Sequence, residues 1–306
     1  MSGEQAGPTE ALNYESGDGD DGGAPPRRAA PHVLPLAPVV ANEAGAALRL
    51  RDLGDVWAFR ELLYFLTWRD IRVRYKQTAM GAAWAIIQPL VMMLVFAVVF
   101  GMMGVPTDGM PYFIFFYCGL LPWTFFSGAV TNSSLSLVTN GNLISKVYFP
   151  RVLIPTATIG AGLVDLAVAS VILVLLAFYY GMPATRNLLM LPVLVVLTVL
   201  MSLGLGMWLA ALTVKYRDVR HVLPFTLQVW FFVTPIIYPA NLLDVKWRWL
   251  LYLNPMTGIV EGLRSAISGR AFDWPSIAFS ATVTLAVLVI SIFAFNRIEK
   301  SFADLI

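Results

Sequence analysis

Charge is missing from long stretches of this chain. From Gln77 to Asn142 the only charged residue is Asp108; from Val152 to Thr185 the only one is Asp165; from Asn187 to Val214 there is none. An ionised side chain at the centre of a bilayer is costly, so runs this bare exclude a water-soluble domain and read as lipid-embedded. Cysteine is almost absent too. Cys118 is the only one, which excludes an intrachain disulfide and a thiolate metal cluster. The two histidines, His32 and His221, sit in a low-complexity tail and a basic loop without metal-ligand company, so no metal site is expected. There is no G-x-x-x-x-G-K-[ST] to cradle phosphates. No Ser-His-Asp or paired-carboxylate arrangement stands at a plausible site. A catalytic role, a cofactor bound by this chain and a nucleic-acid partner are therefore not expected, and any ATP energy has to come from another chain.

What is present is apolar. Hydrophobic residues make up 58% and charged residues 13%, about half the charged share of a soluble domain. At about 1.5 Å of rise per residue, some 20 apolar residues span a bilayer. The chain has room for six such spans: roughly 79–103, 112–136, 152–180, 188–213, 222–238 and 274–296. The expected fold is an all-α integral membrane protein. Residues 1–50, rich in Gly, Pro, Ala and Asp, lack an apolar signal-like stretch and the apolar mass to offset ordering entropy. They are expected to be a disordered N-terminal extension; a docking tail for a partner is the alternative.

Before the first span, LGDVWAFRELLYFLTWRDIRVRYK (53–76) places Val56, Phe59, Leu62, Leu63 and Leu66 at helical spacing. Arg69, Arg72, Arg74 and Lys76 gather at its far end. This is the pattern of a helix lying in the membrane interface. Between spans five and six, residues 239–273 are too polar for a full span yet rich in apolar residues. They read as re-entrant or interfacial helices, broken at Asn254-Pro255 and near Gly258 or Gly262. With both termini cytoplasmic, eleven basic residues flank the spans inside (Arg69, Arg72, Arg74, Lys76, Lys146, Arg151, Lys215, Arg217, Arg220, Arg297 and Lys300) against five outside. Asp165 is the one acid inside a span. A lone acid fits a structural hydrogen-bonding role, or a place beside an aqueous lumen, better than a proton relay.

Four ordered stretches carry a family resemblance: WRDIRVRYKQTAMGAAWAIIQPL (68–90), NLISKVYFPRVLIP (142–155), VKYRDVRHVLPF (214–225), and TPIIYP with LNPMTGIVEGLR (234–239 and 253–264). They resemble the permease subunits of ABC-2 polysaccharide exporters, which move lipid-linked O-antigen, capsule or teichoic acid. The resemblance covers roughly residues 51–306. It implies a homodimer with six membrane helices per subunit in the cytoplasmic (inner) membrane. A separate nucleotide-binding ATPase subunit would bind ATP and Mg. It further implies an interface helix at about 55–76, a coupling helix at about 139–149 and outer gate helices at about 240–270. Leu143, Ile144, Val147 and Phe149, with Lys146 among them, would meet the ATPase.

The substrate implied is a polyprenyl-diphosphate-linked glycan. Such a polymer needs a continuous lumen, and sugar C–H faces lie well against aromatic rings. Trp123, Phe125 and Phe126 in span two and Trp230, Phe231 and Phe232 in span five, with Tyr112, Tyr117 and Tyr238 nearby, are candidates for a channel at the dimer axis. Interface anchoring and ordinary packing are the other readings of those rings. Arg69, Arg72, Arg74 and Lys76 either enforce topology and attract anionic membrane lipids, or receive the diphosphate of the lipid linker. Two other classes fit less well. One is an ABC-2 permease for a drug or small lipid. The other is a membrane enzyme, which would need a cluster of acids, histidines or arginines at one membrane face.

Overall fold

A computed structural model describes residues 58–76, 83–147, 149–242 and 245–299. The expected N-terminal extension, residues 55–57 of the expected interface helix, residues 79–82 of span one and the C-terminal residues 300–306 lie outside them. Among the described residues every regular element is helical: α1 (Arg60–Lys76), α2 (Ala83–Met102), α3 (Tyr112–Thr139), α4 (Gly141–Lys146), α5 (Leu153–Tyr179), α6 (Leu191–Lys215), α7 (Val219–Val233), α8 (Val245–Tyr252), α9 (Pro255–Ser268) and α10 (Trp274–Glu299), with short 3₁₀ turns at Arg186–Met190 and Ala240–Leu242.

Among the described residues four stretches are long and apolar enough to cross a membrane: Tyr112–Thr139, Leu153–Tyr179, Arg186–Lys215 and Trp274–Ile298. Two apolar stretches are shorter, Ile86–Met102 and Val219–Val233. At 15 residues α7 rises only about 22 Å, short of the roughly 30 Å hydrocarbon core. The expected span ran to Tyr238. The helix stops earlier because Pro235 follows Thr234, and the residue before a proline is driven out of the α region; Thr234 has φ −81° and ψ 137°.

α3 is the centre of the bundle. Of its most apolar window 78% is buried, against 22–33% for the other three long stretches. It packs against α5 and α6, and α6 packs in turn against α10. α1 runs along α5, where a Cβ at Gly160 would stand 3.2 Å from Thr67 Oγ1. Glu61 in the first turn of α1, with Arg74 and Lys76 in its last, complements the helix dipole.

α9 carries a full set of end signals. Asn254 caps it by accepting from Met256 N at 3.0 Å, Pro255 opens it, and Gly269 closes it at φ 73°. The break expected at Asn254-Pro255 is therefore present, whereas the one expected near Gly258 or Gly262 is not. α9 runs straight through both glycines, which serve close packing instead. A Cβ on Gly258 would fall 2.5 Å from the Ser276 carbonyl oxygen of α10, and one on Gly262 would fall 2.9 Å from Leu194. Ser276, Ser280, Thr284 and Ser291 continue a buried small-residue stripe along α10, the packing that membrane helices favour.

Candidate functional site

Two polar constellations interrupt the apolar bundle. The first lies where α7 gives way to α9. Arg264, 3% exposed, sends its guanidinium into the turn after α7. Nη1 donates to the Pro235 carbonyl at 2.7 Å and Nη2 to that of Ile236 at 2.7 Å. Nη1 also pairs with Glu261 at 2.8 Å, one helical turn earlier. Glu261 in turn accepts from the Ala240 backbone N–H at 3.3 Å. Below the guanidinium is the Phe115 ring of α3. The chain can leave helical geometry here because this arginine satisfies the carbonyls that the break exposes. Gly119 is needed at the same place: a Cβ there would meet the Ile236 backbone at 3.1 Å.

Trp230 belongs to this constellation. Its Nε1 donates to Asn254 Oδ1 at 2.8 Å, while Asn254 Nδ2 donates to Thr234 Oγ1 at 2.8 Å. The α9 cap is thereby fixed to the end of α7. Trp230 stacks edge-on against Trp123 (centroids 6.3 Å apart) and Phe126 (5.3 Å). Phe231 sits between Trp123 at 5.7 Å and Phe96 at 6.0 Å. Nearby, Asp108 accepts from Asn241 Nδ2 at 2.6 Å and pairs with Arg270 at 3.3 Å, tying the turn after α2 to both ends of the α8–α9 segment.

The second constellation lies where α1 meets α5. Asp165 accepts from the Arg74 guanidinium and from the Tyr75 hydroxyl. Thr158 Oγ1 donates to Asp70 Oδ2 at 3.3 Å, about two turns earlier on α5 and one turn earlier on α1. Burial, and then the hydrogen bond to Asp165, push the Tyr75 hydroxyl up to about 12. Beside this cluster opens a cavity of about 590 Å³ between the end of α1, the start of α2, and α3 and α5; Trp84, Gln88, Phe125, Gly128, Asn132 and Asp165 are among its lining residues.

The residues singled out in the sequence fall out as follows. Trp123, Phe126, Trp230 and Phe231 are brought into one cluster inside the chain; Trp123 and Phe126 are buried there. Phe125 is turned away from it, to the cavity. Tyr112 stacks on Phe116 at 6.3 Å, and Tyr238 donates to the Val233 carbonyl at 3.1 Å. Arg69 pairs with Asp70 at 2.8 Å and Arg72 lies over Trp68 at 5.3 Å. Arg72 and Lys76 are exposed and Arg74 is engaged by Asp165. In α4 and the loop after it, Leu143 and Ile144 are half-buried, and Lys146 and Val147 are exposed. Phe149 is turned inward, in one buried cluster with Leu66, Leu137 and Leu153. In the sequence Glu261 and Arg264 are only two of the charges in the 239–273 segment. Their i, i+3 spacing beside Asn254-Pro255 was the signal for a buried pair. Tyr75, Gln88 and Asn132 carried no pattern that would have marked them.

Comparison with known proteins places this architecture. Residues 61–268 match the ABC-2 type transporter family, from α1 to the end of α9. The chain belongs to the ABC-2 type transporter family. It is similar to the O-antigen export system permease protein RfbA of Myxococcus xanthus, 30% identical over 259 residues, spanning 83% of this chain and 99% of that protein. RfbA of Klebsiella pneumoniae is 27% identical over 249 residues, 80% of this chain and 95% of its own length. The polysialic acid transport protein KpsM of Escherichia coli is 26% identical over 242 residues, 76% and 92% respectively. As an ABC-2 transporter chain with several apolar helices long enough to span, it is a multi-pass membrane permease, a transporter subunit. Both polar constellations lie within the matched residues.

Proposed function

We propose that this chain is the membrane permease of an ATP-driven exporter that carries a lipid-linked polysaccharide across the cytoplasmic membrane. The observation that carries the reading is the match to the M. xanthus O-antigen permease over 99% of that protein's length. In this reading α2 and α7 join the four longer stretches as spans one and five, giving six, with both termini cytoplasmic. The excess of basic residues on that side supports the orientation. α8 and α9 form the outer, re-entrant gate. α1 lies in the inner interface, where Arg72 and Lys76 meet lipid head groups. α4 and the exposed Lys146 and Val147 dock a separate ATPase that binds ATP and Mg.

Two copies enclose the lumen. α7 presents an exposed apolar stripe, Val222, Phe225, Val229 and Phe232, at successive turns of one face. That face and the exposed one of α2 are the surfaces a second copy would cover. A lumen between them suits a polymer too long for any closed pocket.

The test is genetic and chemical. Deleting the gene in the source organism should remove a surface glycan and leave its lipid-linked form inside the cell, and restoring the gene should reverse both. A surface glycan profile that does not change on deletion sinks the reading.

A further inference from the structure

The cavity beside Asp165 has unspent hydrogen-bonding capacity. Gln88 of α2 and Asn132 of α3 both line it, both are exposed, and neither side-chain amide has a partner among the described residues. Each offers two N–H donors and a carbonyl acceptor. Thr124 and Ser127 spend their hydroxyl protons on the α3 backbone, at Leu121 O (3.1 Å) and Thr124 O (3.3 Å), so their oxygens remain acceptors on the cavity wall. At membrane depth polar groups left like this are costly unless a polar occupant meets them.

Charge says what kind of occupant. Among the described residues Arg74 is the one cation on the lining, and Asp165 opposite it carries the compensating charge in direct contact. The cavity therefore offers no free positive charge to a phosphate or a carboxylate. Its remaining features are neutral amides, hydroxyl oxygens and aromatic surface: Phe125 on the wall and Trp84, 57% exposed, on the α2 side. Neutral donors and acceptors beside aromatic faces suit a sugar ring, whose hydroxyls pair with amides while its C–H face lies on an aromatic ring. The volume is within the range of small-molecule sites.

We propose that this cavity is a saccharide subsite, in which Gln88 and Asn132 bind the hydroxyls of a neutral sugar unit and Trp84 and Phe125 pack against its ring. The assignment rests on the export reading and deepens it: the glycan is held inside each chain, between the interface helix and spans one to three, and not only along an axis between two chains. Asp165 then has a double task. It locks α1 to α5, and it keeps Arg74 from capturing the diphosphate at a place built for sugar.

Photo-crosslinking in the assembled transporter, in cells that make the glycan, tests this. Gly128 lines the cavity, and a Cβ there would have no heavy atom within 4 Å. A photoreactive benzoylphenylalanine in place of Gly128 should acquire carbohydrate on illumination, and one in place of the exposed Val98 of α2 should not. Gln88→Leu with Asn132→Leu should lower surface glycan about tenfold, the scale of two net hydrogen bonds lost. Membrane abundance and co-purification with the ATPase should stay unchanged, and Asn132→Gln should recover part of the loss. Capture of phospholipid alone at position 128, or no adduct, in cells whose surface glycan still depends on this chain overturns the subsite and leaves the export reading standing. If the glycan does not depend on the chain at all, the export reading fails and the subsite with it.

Discussion

The guanidinium carbon of Arg264 stands 3.6 Å from the centroid of the Phe115 ring. One buried cation thus joins α9 to the central helix α3, while its N–H groups hold the carbonyls of Pro235 and Ile236. Replacing Arg264 with Met removes the cation, leaves Glu261 without its counter-charge and strands two carbonyls. Breaking a buried pair by removing one partner costs about 3–5 kcal/mol. Arg264→Met is expected to lower the thermal midpoint of the purified complex strongly and to expose the α7–α9 turn to protease. Arg264→Lys should recover only part of this, because a single ammonium cannot reproduce the planar fork. An unshifted midpoint for Arg264→Met would show that the network carries no stability.

Trp230 and Trp123 separate two jobs that alanine scanning alone would merge. Trp230→Phe keeps an aromatic ring but gives up the N–H to Asn254, worth about 1 kcal/mol, along with one ring of the indole. Trp123→Ala empties a buried site, at about 3–5 kcal/mol. The first variant should melt slightly lower and keep its ATPase coupling. The second should lose yield and thermal stability before any transport defect is read. If Trp123→Ala instead melts like the parent while export falls, the ring faces a lumen in the complex and its role is contact with substrate.

Much of the fold was written in the spacing of charges. The uncharged runs located α2, α3, α5, α6 and α10 to within a few residues, because a helix end in a membrane chain is marked by the first polar or basic residue. Local grammar also sufficed where it was complete, as at Asn254-Pro255 and Gly269 around α9. It misled at Gly258 and Gly262. A glycine in a polar segment suggests a break, but here the missing Cβ lets α9 approach α10, a relation to a distant segment that spacing does not encode. The same holds for the sites. Arg69, Arg72, Arg74 and Lys76 look equivalent in sequence. The structure divides them, because only Arg74 lies one helix face away from Asp165, 91 residues further on. Phe149 stands among the residues that the resemblance points at the ATPase; its burial depends on Leu66 and Leu137, which lie on other helices.

Asp165 and Arg74 invite a double-mutant cycle. Their side chains are about a third exposed, so the coupling should be modest, about 1 kcal/mol. Asp165→Asn and Arg74→Gln should each loosen α1, read as faster hydrogen exchange over residues 60–76, and the double variant should cost less than their sum. Tyr75 adds a pH signature. Its folded-state value is raised above the ordinary value of about 10, so its contribution is fully present below pH 10 and is lost as pH rises through about 12. Tyr75→Phe should therefore remove one late-titrating tyrosinate from the absorbance titration and flatten stability in that window. A cycle that sums to zero leaves the pair without a structural role.

The α4 region separates docking from folding within seven residues. Val147 is 51% exposed and Lys146 beside it is exposed, whereas Phe149 is 6% exposed. A partner that docks here meets Val147 and Lys146 and reaches Phe149 only by unfolding the turn. Val147→Asp puts a charge on an apolar contact and should weaken association with the ATPase, typically by 10-fold or more, or at least about 1.4 kcal/mol. The permease itself should keep its thermal midpoint, because an exposed substitution away from packing costs within about 0.5 kcal/mol. Phe149→Ala should do the reverse. It removes a buried ring at about 3–5 kcal/mol, so the chain melts lower with or without its partner. Pull-down of the ATPase and thermal unfolding of the permease alone, measured on both variants, distinguish the two. If Val147→Asp binds the ATPase as tightly as the parent while Phe149→Ala binds poorly at full stability, the docking surface has been assigned to the wrong side of this segment.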